Sequence, residues 1–209
     1  MVGTDSPTIA GPAALGYRRP APMSLGAPMR RAGILLHPTS LPGGGPAGQL
    51  GDDAIRFLDF LEKAGCTLWQ VLPLQPPGAG LSPYDSPSAF AMGTHLISLE
   101  RLVDMGLLEG HELQPIPNRP DGVDRNALEH WHAPLVRRAS ERFAQRAPDD
   151  VNRFADTHPW VRDYALYQVL REHYDVDGWQ HFPAALAARD ADALAQARHT
   201  HRAAIDAGI

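Results

Sequence analysis

Between Gly33 and Leu74 an apolar run, an amphipathic segment and a second apolar run follow one another, and that order confines the chain to few architectures. Gly33-Ile34-Leu35-Leu36 reads as a short buried strand. It is stopped by His37-Pro38-Thr39-Ser40-Leu41-Pro42 and three glycines, since proline and glycine interrupt strand pairing. Asp52 stands where an N-cap belongs. After it, Ile55, Leu58 and Leu61 recur every three residues, with Ala54, Phe57 and Ala64 widening the stripe, which predicts an amphipathic helix. Asp59 and Lys63 form an i, i+4 pair on its other side, and Gly65 follows as a left-handed C′ residue. Residues 66–74 read as a second buried strand. Strand, helix and strand make a βαβ unit, with parallel strands, a right-handed crossover and both sheet faces covered. Ligands on such α/β folds bind at the carboxyl ends of the strands. The segments after Leu36 and after Leu74 are therefore the ones to search.

The texture changes past Leu74. Residues 75–92, rich in Pro, Gly and Ser, have no helical or strand period and read as a long loop. Residues 96–103 become helical and Gly106 ends them. Pro115, Pro117 and Pro120 mark an irregular connection. Helices are expected over 126–146, interrupted near Pro134, over 160–174, capped near Asp156 or Thr157, and over 183–204 with a break near Asp190. The organisation is then a flexible Pro/Gly/Ala-rich leader over 1–30, a βαβ unit over 31–76, a loop over 77–95 and a mostly helical region over 96–209.

Composition removes several function classes. The 209 residues are 44% hydrophobic and 21% charged, enough apolar material for a core. A net charge of -5 gives no basic field for nucleic acid and no cationic membrane surface. No stretch approaches the roughly 20 apolar residues of a membrane span. The leader lacks an apolar h-region behind a basic start, and Met23 and Met29 are alternative starts. Cys66 is the single cysteine; it excludes an intramolecular disulfide, suits a reducing compartment and reads as a buried small hydrophobe. A cytoplasmic location is expected. His130 with His132, and His199 with His201, are spaced i, i+2 and face different sides of a helix, whereas helical metal sites use i, i+3 or i, i+4. No metal and no cofactor are expected. Trp69, Trp160 and Trp179 read as core residues before sugar platforms.

The loop directly after the second strand carries Ser82-Pro83-Tyr84-Asp85-Ser86-Pro87-Ser88-Ala89-Phe90-Ala91. It offers an aromatic ring, several hydroxyls and the Asp85 carboxylate, and sugars present apolar C–H faces rimmed by hydroxyls. Pro83 and Pro87 restrict the backbone around Tyr84 and lower the entropic cost of holding it. A plain proline-rich loop with a packed tyrosine fits the same residues. His37, ending the first strand, either faces the site or serves the structure.

The run Gly33-Ile34-Leu35-Leu36-His37-Pro38-Thr39-Ser40-Leu41-Pro42-Gly43 resembles the opening strand and loop of the amylomaltase (4-α-glucanotransferase) family. The resemblance continues in order through Gly51-Asp52, Leu68-Trp69-Gln70-Val71-Leu72-Pro73-Leu74, Ser82-Pro83-Tyr84-Asp85-Ser86 and Ser88-Ala89-Phe90-Ala91. It runs on through Leu96-Ile97-Ser98-Leu99, Gly106-Leu107-Leu108, Asp163-Tyr164-Ala165-Leu166-Tyr167 and Trp179-Gln180-His181-Phe182-Pro183. It implies a (β/α)8 TIM barrel with inserted subdomains, present only in its N-terminal part, and transfer of α-1,4-glucan segments between maltooligosaccharides. By the same resemblance Tyr84 stacks on the sugar ring at the cleavage point and Ser82 helps hold neighbouring hydroxyls. Met92-Gly93-Thr94 stands where the family often has Gly-Asn-Pro, Gly78-Ala79-Gly80 lacks a tyrosine some members have, and Leu81 fills an often polar place.

Retaining glycosyl transfer needs two carboxyl groups about 5 to 5.5 Å apart, a nucleophile and an acid/base. In the family these lie on later strands, and no catalytic candidate is found here. Asp52 and Asp53 read as helix-start residues, Asp85 is one carboxylate without a partner, and Glu62, Glu100, Glu129, Glu141 and Glu172 read as solvated helix residues. A complete barrel takes about 250 residues, and 203–209 stop without a clear cap. The expectation is a chain that supplies part of a sugar site and is completed by the C-terminal part of the same enzyme. A non-catalytic glucan-binding or regulatory protein and a non-functional remnant are the alternatives.

Overall fold

The computed structural model describes residues 30–43, 45–78, 80–117 and 122–209. Of the leader expected over 1–30, residues 1–29 lie outside them, as do Ala79 and Pro120.

Two strands, β1 (Gly33–Leu35) and β2 (Leu68–Gln70), pair in parallel with Ile34 opposite Trp69. Backbone bonds from Thr67 N to the Ala32 carbonyl (2.9 Å) and from Leu36 N to the Gln70 carbonyl (3.0 Å) prolong the ladder. The crossover is α1 (Asp52–Lys63), so the βαβ unit is present. Its strands are shorter than the apolar runs, and they are not buried. Only Ile34 and Trp69 are half-buried, while Gly33, Leu35, Leu68 and Gln70 are exposed. A parallel strand is buried when both faces and both neighbours are supplied; here α1 supplies one face, where Phe57 meets Trp69 edge-on at 5.0 Å. Ile55, Leu58 and Phe60 of α1 are each about half exposed as well.

The start of α1 also differs from expectation. Its N-cap is Gly51, and Asp52 is the first helical residue. There its carboxylate suits the positive helix end and reaches Arg101 at 2.5 Å, while Asp53 pairs with Arg56. The i, i+4 partners Asp59 and Lys63 are both exposed, and the ion pairs of this helix form at Asp52 and Asp53 instead. Gly65 takes the left-handed conformation (φ 71°) that its place after the helix requires.

The remainder is helical. α2 (Leu99–Asp104) is capped by Ser98, whose Oγ accepts from Arg101 N at 3.3 Å, and it ends at Gly106 with φ 65°. α3 (Arg125–Ala127), capped by Asp124, runs through a π-helical turn at Leu128–His132 into α4 (Ala133–Arg146). The interruption expected near Pro134 is this turn. Proline has no N–H for the i−4 carbonyl, and the wide turn, closed by Ala133 N donating to the Leu128 carbonyl, absorbs the misfit. α5 (Pro148–Thr157) was not expected; Asp156 and Thr157 lie inside it rather than capping α6 (Trp160–His173), whose N-cap is Pro159. α7 (Ala184–Ala187), α8 (Ala191–Thr200) and α9 (Arg202–Gly208) divide the last segment, with Asp190 capping α8 through Ala193 N at 2.9 Å.

Two apolar cores result. Leu99, Leu107, Leu108, Leu113, Leu135, Val136 and Ala139 form one, around α2 and α4. Ala165, Leu166, Leu170, Ala197 and Ile205 form the other, around α6, α8 and α9. Helix α9 packs against both α4 and α6.

Candidate functional site

The loop after β2 leaves and returns at one point: Gly93 N donates to the Leu74 carbonyl at 2.7 Å. Inside it, Gly78 N bonds the Asp85 carbonyl, Leu81 N bonds Gly78 O (3.0 Å) and Asp85 N bonds Ser82 O (3.2 Å). Leu81 sits at φ 56°, a conformation that a branched side chain rarely adopts. The loop is thus a knotted set of turns, and the ends of its internal bonds bracket Tyr84.

Ser82 Oγ accepts from Tyr84 N at 3.3 Å, which leaves its O–H to donate outward. Tyr84 is 75% exposed, so its ring lies open instead of packed, against the plain-loop reading. Asp85 is exposed too, and its carboxylate lies against Gly78, where an added Cβ would stand 2.5 Å from Oδ2. Farther along, Ser88 Oγ accepts from Phe90 N (3.2 Å) and Ala91 N (3.0 Å), and the buried Ala91 anchors that end. Phe90 is 71% exposed on its solvent side and rests on Trp160, ring centroids 5.7 Å apart.

His37 serves the base of this loop. Its Nδ1 accepts from the Thr39 hydroxyl at 2.8 Å, and its Nε2 donates to the Pro73 carbonyl at 3.3 Å. Both ring nitrogens are therefore engaged within the chain, and β1's end is tied to β2's end. Trp69 makes a second such tie, from Nε1 to the Leu36 carbonyl at 2.8 Å. Trp160 is half-buried, and Trp179 is 55% exposed, contrary to a core role. Cys66 is half-buried.

Two histidines that sequence reasoning weighed only for metal, or passed over, stand nearby. His95 lies on Gly93, where an added Cβ would meet its ring at 2.3 Å. Burial, then the neighbouring His37 and His132, lowers its pKa to about 4. His132 is 1% exposed and donates through Nε2 to the Ile97 carbonyl at 3.0 Å. Long sequence separation hides this grouping, and no local spacing signals it.

The carboxylates gather elsewhere. Asp52, Asp53 and Glu100 line a cavity of about 270 Å3 together with Arg56, but Asp52 and Asp53 are bound by arginines, which removes the freedom an acid/base pair needs. Glu172 pairs with Arg137 and Glu129 with Arg125. A larger cavity, about 740 Å3, opens between α6 and α8, with Tyr164, Tyr167, Trp179 and Phe182 in its wall and Pro87 of the loop at its edge. Among the described residues no group of three His, Cys, Asp or Glu is placed to hold a metal ion, and no helix is long and apolar enough to cross a membrane.

With this geometry in place, comparison with known proteins is decisive. The profile of the family described as 4-alpha-glucanotransferase (glycoside hydrolase 77) matches residues 36–208. The chain belongs to the 4-alpha-glucanotransferase family. It is 39% identical over 188 residues to the potato (Solanum tuberosum) 4-alpha-glucanotransferase of chloroplasts and amyloplasts, covering 85% of this chain and 32% of that protein. It is 40% identical over 175 residues to the Thermus thermophilus 4-alpha-glucanotransferase, covering 81% and 34%. In structure it is similar to an amylomaltase from Streptococcus agalactiae solved with acarbose, at TM-score 0.80 and 33% identity, covering 86% of this chain and 37% of that one. The chain thus spans about a third of the length of these family members.

Proposed function

We propose that this chain supplies part of the sugar site of a 4-α-glucanotransferase that moves α-1,4-glucan segments between maltooligosaccharides by retaining double displacement. In this reading Tyr84 stacks on the sugar ring at the cleavage point, Ser82 donates its free O–H to a neighbouring sugar hydroxyl, and Asp85 accepts from another. His37 holds the loop base beside them. Residues 31–76 open a (β/α)8 barrel, 77–95 form the donor loop and 96–209 an inserted helical subdomain. The nucleophile and the acid/base belong to strands supplied by the rest of the enzyme, and the enzyme works in the cytoplasm.

The single observation that carries the reading is the exposed Tyr84 ring on a loop fixed at both feet, in a chain of this family. An exposed aromatic costs solvation that a sugar face would recover. The exposed strands and the open face of α1 fit a barrel whose further strands are supplied from outside these residues.

The test is calorimetric titration of the chain with maltohexaose and with acarbose, beside a maltotriose disproportionation assay. Binding is expected, lost in Tyr84→Ala with an unchanged melting temperature, and no disproportionation is expected. Equal binding by Tyr84→Ala refutes the loop assignment. Glucose and longer oligosaccharides appearing from maltotriose refute the placement of the carboxylates elsewhere. A non-catalytic glucan-binding role separates from the first reading if adding the remaining portion of a family enzyme restores no transfer.

A further inference from the structure

Three imidazoles converge beneath the sugar loop, and each one touches a foot of it. His37, from the end of β1, donates to the carbonyl of Pro73, next to Leu74 on the outgoing foot. His95 lies directly on Gly93, whose N–H closes the loop onto Leu74. An added Cβ at Gly93 would stand 2.3 Å from His95 Cε1 and 3.2 Å from the Gln75 carbonyl, so the imidazole fills the space beside Gly93 at the closure. His132, from the π-helical turn before α4, donates to the carbonyl of Ile97, two residues past His95 on the returning foot.

We propose that His37, His95 and His132 are positioning residues that clamp the base of the Tyr84 loop, and that protonating His95 releases the returning foot.

The charge inventory around His95 supports this. The groups that act on it are His37 from the end of β1 and His132 from the π-helical turn. Neither is a carboxylate that would welcome an added proton. Glu100 of α2 acts on His132, the more distant ring of the pair, while the charges acting on His95 are the two imidazoles alone. Burial and the two flanking rings hold His95 neutral down to about pH 4, and burial also lowers the pKa of His132. A proton taken from solvent onto His95 therefore has no partner where the ring now lies. The ring gains hydration by swinging away from Gly93, and that uncovers the Gly93 N–H to Leu74 carbonyl bond. The clamp's link to glucan transfer rests on the reading of Tyr84 given above, whereas its opening does not involve sugar.

Amide hydrogen exchange of the full chain by NMR tests it, with rates normalised for intrinsic chemistry and His Cε1–H shifts recorded in the same samples. Between pH 7 and pH 5 the protection of Gly93 is expected to fall on the order of tenfold, while Leu170 in the second core stays unchanged. His95→Gln, which keeps polarity but cannot titrate in this range, should hold Gly93 protected across that interval. His95 titrating near its ordinary 6.5 would overturn the proposal, as would a Gly93 protection that ignores pH or falls equally in His95→Gln. If His95→Gln loses Leu170 protection and so fails to fold, the wild-type His95 titration and Gly93 profile decide alone. Failure of the sugar reading stays distinguishable: Tyr84→Ala would then leave maltohexaose binding intact, with the clamp titration unaffected either way.

Discussion

Replacing Gln49 with leucine probes how the segment after β1 is fastened to the helical region. Gln49 is 8% exposed, and its Oε1 accepts from Leu99 N at 3.1 Å, while Leu99 itself is fully buried. Leu99 N–H is one of the first donors of α2, which no intrahelical carbonyl can reach. Leucine fills much of the same space but strands that N–H away from water, a loss of about 1 to 3 kcal/mol. The middle of that range, about 2 kcal/mol, is the expected loss. For a chain of this size each kcal/mol shifts the melting temperature by about 2 to 4 °C, which gives a drop of about 4 to 8 °C by circular dichroism. Gln49→Glu should recover part of the loss, because a carboxylate accepts the same bond at a helix N-terminus. The recovery is incomplete, since Asp52, Asp53 and Glu100 line the same small cavity. A leucine variant melting within about 2 °C of wild type, or a glutamate variant no better than leucine, refutes the role assigned to this bond.

Gly48→Ala should be more damaging, because its Cβ would stand 2.2 Å from the Pro38 carbonyl oxygen and 2.7 Å from that of Leu41. Both are backbone atoms that cannot swing aside, so a loss of at least about 3 kcal/mol is expected; a near-wild-type denaturant midpoint would contradict that packing. Acid should weaken the fold in two windows, read as melting temperature against pH. His95 has a folded-state pKa of about 4, below its ordinary 6.5, so as pH falls the unfolded chain binds the proton first and stability declines between about 6.5 and 4. Glu112 is held down to about 2, first by the hydrogen bond from Arg142 and then by its bond with Glu109; its contribution persists above about 4.5 and is lost between about 4.5 and 2. His95→Gln should shrink the upper window, leaving the share of the buried His132, and should leave the lower window unchanged.

The parts of the fold legible in the sequence were those with local causes. The stripe of Ile55, Leu58 and Leu61, the stops at Gly65 and Gly106, and the break at Asp190 each depend on residues within a turn or two, and each element formed. α5 carried its own signal as well: Pro148 at the first position, Asp149 and Asp150 in the first turn, and the buried Val151 and Ala155. Strand burial was not legible, since an apolar run states what a segment needs and not what covers it. Of the site, the Ser82-Pro83-Tyr84-Asp85 loop was visible as chemistry. The meeting of His37, His95 and His132 was not, because it depends on the path of three separate segments through space.

The closure between Gly93 N and the Leu74 carbonyl makes the loop after β2 a cassette. The exposed residues between its feet, Tyr84 and Asp85 among them, can change without altering the span that β2 and the following helix must bridge, whereas Ala91 and Phe90 are held by the scaffold. A loop transplanted from another member must match this closure, the ring of His95, the buried position of Ala91 and the Phe90–Trp160 contact.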